Sequence, residues 1–216
     1  MYATCKKNKN LALFDFDGTL CTKDSFTGFI FYALSKRHIV KQGIKILPWI
    51  QAYYLKAYPA HAMRPKLFRA MFSDADMLSL QQIAEEYASS LITQLNDPLL
   101  KQLKQHQALG DDVVLVSASI DIYLEHVCRL LNIDLICTQT EKMNDIYTGK
   151  YTTPDCSSEQ KRIRILEKYH LDQYNAIYAY GNSIEDQEML ALADYAYMVG
   201  SNKMLPSLPI NIQIAI

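Results

Sequence analysis

Leu11-Ala12-Leu13-Phe14-Asp15-Phe16-Asp17-Gly18-Thr19-Leu20 is the stretch on which the reading of this chain turns. Leu11 to Phe14 is an apolar run of strand length, suited to a strand buried on both faces. It stops at two carboxylates two residues apart, followed by Gly18-Thr19. A buried strand has no reason to end in paired negative charge unless a cation balances it. Side chains two apart on a strand share a face, and once the chain leaves the strand at Gly18 both acids converge on one point. A hard cation such as Mg²⁺ takes oxygen ligands of this kind. The first acid then suits a nucleophile and the second a donor and acceptor of protons.

Beyond Leu20 the pattern changes. From about Cys21 to Leu95 it reads as helices only: an aromatic run over Phe26 to Leu34, another over Ile39 to Leu55 interrupted at Pro48, and further breaks at Pro59 and Pro65. Asp76 to Leu95 is the clearest helix, with Met77, Leu80, Ala84, Tyr87, Leu91 and Leu95 spaced by three or four. After Asn96 strands and helices alternate. Asp97 suits an N-cap and Pro98 the first turn of a helix that stops at Gly110. Strands follow at Val113–Val116, Leu135–Cys137, Ala176–Tyr180 and Tyr195–Val199, with helices over Asp121–Leu131, Ser158–Tyr169 and Ser183–Ala193. Glu141 to Tyr151, with Gly149 in its middle, reads as a hairpin. Alternation of this kind predicts an α/β fold, a doubly wound, Rossmann-like, mostly parallel sheet. The expected organisation is a core of residues 1–20 plus 96–216, with residues 21–95 inserted after the first strand as an all-helical cap. Ligands of such sheets bind beyond the carboxyl ends of the strands. Asp15, Ser117 and Asn182, distant in sequence, all fall at such ends.

Composition limits the alternatives. The 216 residues have room for a core and a smaller unit, and a net charge of −1 predicts no general attraction to nucleic acid. The five cysteines, Cys5, Cys21, Cys128, Cys137 and Cys156, are scattered and form no Cys-x-x-Cys pair, which suits reduced thiols in a cytoplasmic protein. Residues 1–10 read as a frayed polar arm rather than a signal peptide, and no run of apolar residues is long enough to span a membrane. The five histidines show no metal spacing, and neither a phosphate-cradling P-loop nor a dinucleotide fingerprint is present.

Asp15 to Leu20 resembles the first signature of the haloacid dehalogenase (HAD) superfamily of aspartate-nucleophile phosphatases, Asp-x-Asp-Gly-Thr-Leu. The resemblance implies that Asp15 attacks phosphorus and that Asp17 serves as acid and base. It extends over most of the chain outside the insert. Ser117 resembles the family's second motif, with its hydroxyl and the Ala118 N–H on a phosphoryl oxygen near a helix N-terminus, and Ser119 left to cap the helix. Cys156-Ser157-Ser158-Glu159-Gln160-Lys161 resembles the third, making Lys161 the cation that offsets phosphate charge. Gly181-Asn182-Ser183-Ile184-Glu185-Asp186 resembles the fourth, Gly-Asp-x-x-x-Asp, with Asn182 in place of the first acid. The resemblance thus implies Mg²⁺ held by Asp15, Asp17, Asn182 and Asp186, and phosphate met by Gly18, Thr19, Ser117, Ala118 and Lys161. Ser183 and Asp186 also have capping-box spacing. An all-helical insert between the first two motifs resembles the phosphoserine-phosphatase-like branch, subfamily IB. There an early acidic cap residue reads the substrate's amino group, and Asp24 has the matching offset.

The insert carries a signal of its own. From Lys36 to Phe72 there is no Asp or Glu, yet eight Lys and Arg residues are present, interleaved with Trp49, Tyr53, Tyr54 and Tyr58. A basic, aromatic face suits an anionic substrate or an anionic membrane surface; a solvated basic face over an aromatic core is the plainer alternative. The expected activity is Mg²⁺-dependent hydrolysis of a small or lipid-borne phosphomonoester. The alternatives are a phosphotransferase or mutase of the same fold and a non-enzymatic phospho-receiver switch.

Overall fold

A computed structural model describes residues 9–208. β1 (Leu11–Phe14) is followed by α1 (Ser25–Ala33), α2 (Lys36–Lys45), α3 (Leu47–Tyr54), α4 (Ala60–Phe72), the two-residue strand β2 (Ala75–Asp76) and α5 (Met77–Ile92). Then come α6 (Asp97–Ala108), β3 (Asp112–Ile120), α7 (Asp121–Leu131), β4 (Asp134–Thr138), β5 (Thr140–Met143), β6 (Ile146–Tyr151) and α8 (Glu159–Lys168). The chain closes with β7 (Ile177–Gly181), the short α9 (Gln187–Leu190) and β8 (Tyr195–Met198).

The α/β class is as expected. Five strands form one parallel sheet in the order β4-β3-β1-β7-β8. β1 lies at its centre, with Leu13 in register with Val114 on one side and Ala179 on the other. All four β1 residues are fully buried, which is what a central strand covered on both faces demands. Leu11 and Leu13 face a cluster with Val114, Val116, Ile165 and Met189. Ala12 and Phe14 face the other side, where the cluster runs without a break through Leu115 and Tyr123 into Phe29, Phe68, Phe72 and Leu80 of the inserted helices. Those helices therefore complete a core that they share with the sheet.

The way into the insert and the way out run side by side. Asn96 N–H donates to the Leu20 carbonyl at 2.8 Å, and Cys21 and Leu95 form an antiparallel bridge. The helices-only reading of 21–95 needs one amendment: Ala75–Asp76 pairs antiparallel with β6, extending the β5–β6 hairpin to three strands. The hairpin turn is Asn144-Asp145, both at positive φ, the geometry that suits a two-residue hairpin loop. Gly149, expected in the middle of that hairpin, lies within β6 and serves close packing. A Cβ there would sit 2.2 Å from Ser73 Oγ and 3.1 Å from the Arg69 Cα. Pro65 does not break its helix. α4 continues through it, held by the burial of Met63, Phe68, Met71 and Phe72 against the loss of one backbone donor. The cap of α6 is Asn96 rather than Asp97, its side chain accepting from Leu99 N–H at 3.3 Å. Beyond Gly181 the expected helix is shorter, a 3₁₀ turn over Ile184–Asp186 and then α9.

Cys21, Cys128, Cys137 and Cys156 are buried free thiols, while Cys5 and most of the expected arm over 1–10 lie outside the described residues. Among the described residues no helix is long and apolar enough to cross a membrane. His106 is a satisfied core histidine: its Nδ1–H donates to Asp111 at 2.7 Å and its Nε2 accepts from the Tyr180 hydroxyl at 2.8 Å. Burial pushes the Asp111 carboxyl up, but the hydrogen bonds from His106 and Asn10 outweigh it and hold Asp111 below the usual carboxylate range.

Two stability predictions follow from these contacts. Gly149 and Gly110 both sit at positive φ, but only Gly149 faces a collision. Gly110→Ala is expected to cost about 1 kcal/mol of strain and Gly149→Ala at least about 2 kcal/mol, read as the larger drop in Tm. Asp111→Ala is expected to cost about 2 kcal/mol near neutral pH through lost hydrogen bonds. Because the folded-state carboxyl is depressed, that stabilisation is present above the unfolded pKa and fades as pH falls below about 4. Urea titrations of both proteins at neutral and acid pH should show the gap closing.

Candidate active site

The sheet brings three chemical ends together. Asp15 follows β1, and its N–H continues the ladder by donating to the Tyr180 carbonyl at 2.8 Å. Lys161 lies in the first turn of α8 and points inward, 1% exposed. Asp186 closes the 3₁₀ turn after β7. Lys161 Nζ donates to Asp15 Oδ1 at 2.6 Å, to Asp186 Oδ1 at 2.6 Å and to the Val116 carbonyl of β3 at 2.9 Å. One ammonium thus uses its three donors on the loops beyond β1 and β7 and on the adjacent strand β3. Its burial alone would make Lys161 easier to deprotonate, but the two carboxylates more than reverse this and push its pKa up. Asp186 is held low by the same ammonium despite its burial. Asp15 is pushed up to about 6, chiefly by burial; Lys161 opposes the rise and the Asp186 charge adds to it.

Asp186 takes the capping-box place expected of it. Its Oδ2 accepts from the N–H groups of Asn182 and Ser183 at 2.9 and 3.0 Å, completing a capping box, while Oδ1 faces Lys161. Asn182 packs over Gly18: a Cβ on Gly18 would lie 1.9 Å from Asn182 Nδ2, and Gly18 is at φ +80°. The first and fourth motifs therefore touch through a glycine that both φ and space require.

Asp17 points elsewhere. Its Oδ1 accepts from the Ser25 N–H at 2.6 Å and its Oδ2 from the Ser119 hydroxyl at 2.6 Å. Burial pushes its pKa up, and these hydrogen bonds moderate the rise. Ser119 is therefore not the cap expected of it: α7 is preceded by Ile120, with no side-chain cap, and the Ser119 hydroxyl is spent on Asp17. Ser117 lies inside β3 rather than at its end, next to a register shift between Ser117 and Ile120. Such irregularities re-aim side chains beside active sites. Ser117 Oγ accepts from the Ser119 N–H at 3.1 Å.

Asp15, Asp17, Asp24, Ser117, Ala118, Lys161, Asn182 and Asp186 all line one cavity of about 370 Å³. Thr19 does not; it is fully buried and its hydroxyl has no hydrogen-bond partner. Asp24 caps α1, its oxygens accepting from the Thr27 N–H and hydroxyl at 2.9 and 2.7 Å. Sequence reasoning missed Arg64, which reaches from α4 into the same cavity. It pairs with both oxygens of Asp155 at 2.7 and 2.8 Å and with Glu185 at 3.1 Å. Nothing local marks it out among eight basic residues of that stretch; only the fold brings Asp155 and Glu185 to it. Ser158, just before α8, holds φ 49°, and its N–H donates to the Glu185 carbonyl at 2.9 Å, so the third and fourth motifs are joined through the backbone.

Among the described residues no three His, Cys, Asp or Glu side chains gather as a metal cluster. The donor chemistry nevertheless fits a hard divalent cation. Five carboxylates line the cavity (Asp15, Asp17, Asp24, Glu185, Asp186) against two cationic side chains (Arg64, Lys161). That leaves an excess of negative charge, and Asp15, Asn182 and Asp186 offer oxygen atoms to neutralise it.

Comparison with known proteins shows the family. The chain is 28% identical over 187 residues to Protein CicA of Caulobacter vibrioides, covering 85% of this chain and 83% of that protein. It is 27% identical over 199 residues to the histidinol-phosphatase of Neisseria meningitidis serogroup C, covering 85% and 87%. A probable phosphoserine phosphatase from Vibrio cholerae shares the fold, with a TM-score of 0.65 at 14% identity over 89% of this chain and 57% of that one. The family described as haloacid dehalogenase-like hydrolase matches residues 12–191, and a match of that span makes this chain one of its members.

Proposed function

We propose that the chain is a Mg²⁺-dependent phosphomonoester hydrolase of the phosphoserine-phosphatase-like branch, subfamily IB, working through an aspartyl-phosphate. The observation that carries the reading is the buried Lys161 ammonium, 2.6 Å from both Asp15 and Asp186 in a cavity that also holds Asp17 and Ser117. Asp15 attacks phosphorus as the ester bond breaks, and Asp17 gives its proton to the departing alkoxide. Asp17 then takes a proton from water, whose oxygen cleaves the acyl phosphate and frees phosphate and Asp15. Burial of Asp17 favours a form able to carry that proton. The Ser117 hydroxyl and the Ala118 N–H meet the phosphoryl oxygens, and the buried Lys161 charge beside Asp15 offsets their negative charge. Asp15, Asn182 and Asp186 would hold the Mg²⁺, which when bound neutralises phosphoryl charge. The Asp17 carboxylate, held by Ser25 and Ser119, serves proton transfer in this reading. Asp24, on the cavity wall, is the residue for a polar group of the substrate.

The division into 1–20 plus 96–216 and 21–95 is part of the same proposal. The pairing of Leu20 and Cys21 with Leu95 and Asn96 supports it. The buried free cysteines support a reducing, cytoplasmic setting. Among relatives, a histidinol-phosphatase and a probable phosphoserine phosphatase support a phosphomonoester as substrate.

Asp15→Asn is expected to lower release of inorganic phosphate from p-nitrophenyl phosphate with Mg²⁺ by at least ~10³-fold, measured below the variant's own Tm so that the loss reads chemistry and not unfolding. A receiver-type switch would show no turnover in the parent protein, and a phosphotransferase would place the phosphoryl group on an added alcohol. Asn182→Asp preserves the shape that packs on Gly18 and adds a charge. It is expected to keep activity and to lower or leave unchanged the Mg²⁺ concentration for half-activation; inactivity in that variant would remove Asn182 from the ligand set.

A further inference from the structure

The α2–α3 segment breaks the usual rule for surface helices. Neither helix has a buried residue. Lys36, Val40 and Ile44 follow one another at intervals of four, as do Arg37, Lys41 and Lys45, and all six are exposed. Val40 and Ile44 thus lie outward beside a basic row, on a face where polar residues are the rule. The apolar surface continues through Leu47, Tyr54 and Leu55, which are 45%, 78% and 79% exposed. Nine of the exposed large apolar side chains among the described residues fall between Phe31 and Leu55. A patch of this kind marks an interaction surface.

Two observations choose its partner. First, α2 and α3 carry Lys36, Arg37, Lys41 and Lys45 and no Asp or Glu, so the partner is anionic. A second copy of this chain, meeting the same patch across a two-fold axis, would set those cations against one another. Second, the surface runs into the active-site cavity. Tyr53 and Tyr54 of α3 line it, as do Phe26 and Thr27 of α1. Whatever covers α2–α3 therefore lies at the mouth of the site. A basic stripe beside an apolar one is the surface that seats on an anionic bilayer, with apolar side chains among the acyl chains and cations at the headgroups.

We propose that α2 and α3 dock on an anionic lipid bilayer, and that the cavity acts on a phosphomonoester whose carrier lies in that bilayer. The substrate part rests on the phosphatase reading above; the docking part does not. The test uses the whole chain and sedimentation with vesicles of phosphatidylcholine mixed with an equal amount of phosphatidylglycerol. Binding is expected to these vesicles and not to pure phosphatidylcholine, and to be lost in ~0.5 M NaCl. Val40→Glu/Ile44→Glu and Lys41→Glu/Lys45→Glu, none of them at the cavity wall, should each weaken binding at least ten-fold. Both variants should hydrolyse p-nitrophenyl phosphate within two-fold of the parent rate. With phosphatidate in the vesicles as probe, phosphate release should fall at least ten-fold in the same variants. No binding at low salt overturns the docking surface, as does a dimer that Val40→Glu/Ile44→Glu splits. Equal phosphatidate rates in parent and variants, or none in the parent, overturn the lipid-borne substrate. Vesicle binding without hydrolysis of p-nitrophenyl phosphate overturns the phosphatase reading and leaves the docking surface standing.

Discussion

The Lys161 ammonium, closed off from water between Asp15, Asp186 and the Val116 carbonyl, is the contact on which the site depends. A buried lysine without partners would give up its proton or stay in solvent. Here each of its donors is met, and each acceptor comes from a different part of the sheet. The arrangement holds only if β1, β3 and β7 stand side by side in register with α8 packed beneath them. Correct folding and correct charge balance are thus one condition. The balance is also deliberately incomplete: two carboxylates share one ammonium, and the surplus charge on the cavity wall is what an incoming cation would relieve.

Around this centre the loops are tied to one another rather than to bulk solvent. Gly18 lies under Asn182, Ser158 reaches Glu185, and Arg64 clasps both Asp155 and Glu185. Asp17 is fixed from two directions, by Ser119 of the sheet and by the first N–H of α1. Ser25 is itself held, its hydroxyl 2.8 Å from Tyr123 and its carbonyl accepting from Tyr87. Positioning of this kind is how a site keeps a proton carrier within reach of its target without relying on a mobile loop.

Much of this was legible in the chain. A buried run ending in two acids and alternating periodicities were enough for the sheet, and motif spacing singled out Asp15, Lys161 and Asp186, which the fold brings together. What was not legible depends on distant partners. Pro65 sits in a helix because that helix buries Phe68 and Phe72, a gain that no local rule for proline contains. Ala75–Asp76 is a strand only because β6 lies beside it. Ser119 looked like a helix cap by spacing, but its hydroxyl turns away from the helix to donate to Asp17, which is near only in three dimensions. Arg64 was one basic residue among many until the fold supplied its two acids.

The apolar cluster that passes from Phe14 and Leu115 into Phe29, Phe68 and Leu80 has a mechanical consequence. Helices α1, α4 and α5 have no core apart from the sheet's, so they cannot swing away as a rigid lid without tearing packed surface. They and the sheet should unfold as one cooperative unit. Flexibility is left to α2 and α3, which have no fully buried residue and stand at the low end of the local stability gradient. Traffic to and from the cavity thus passes by the loosest edge of an otherwise unyielding body.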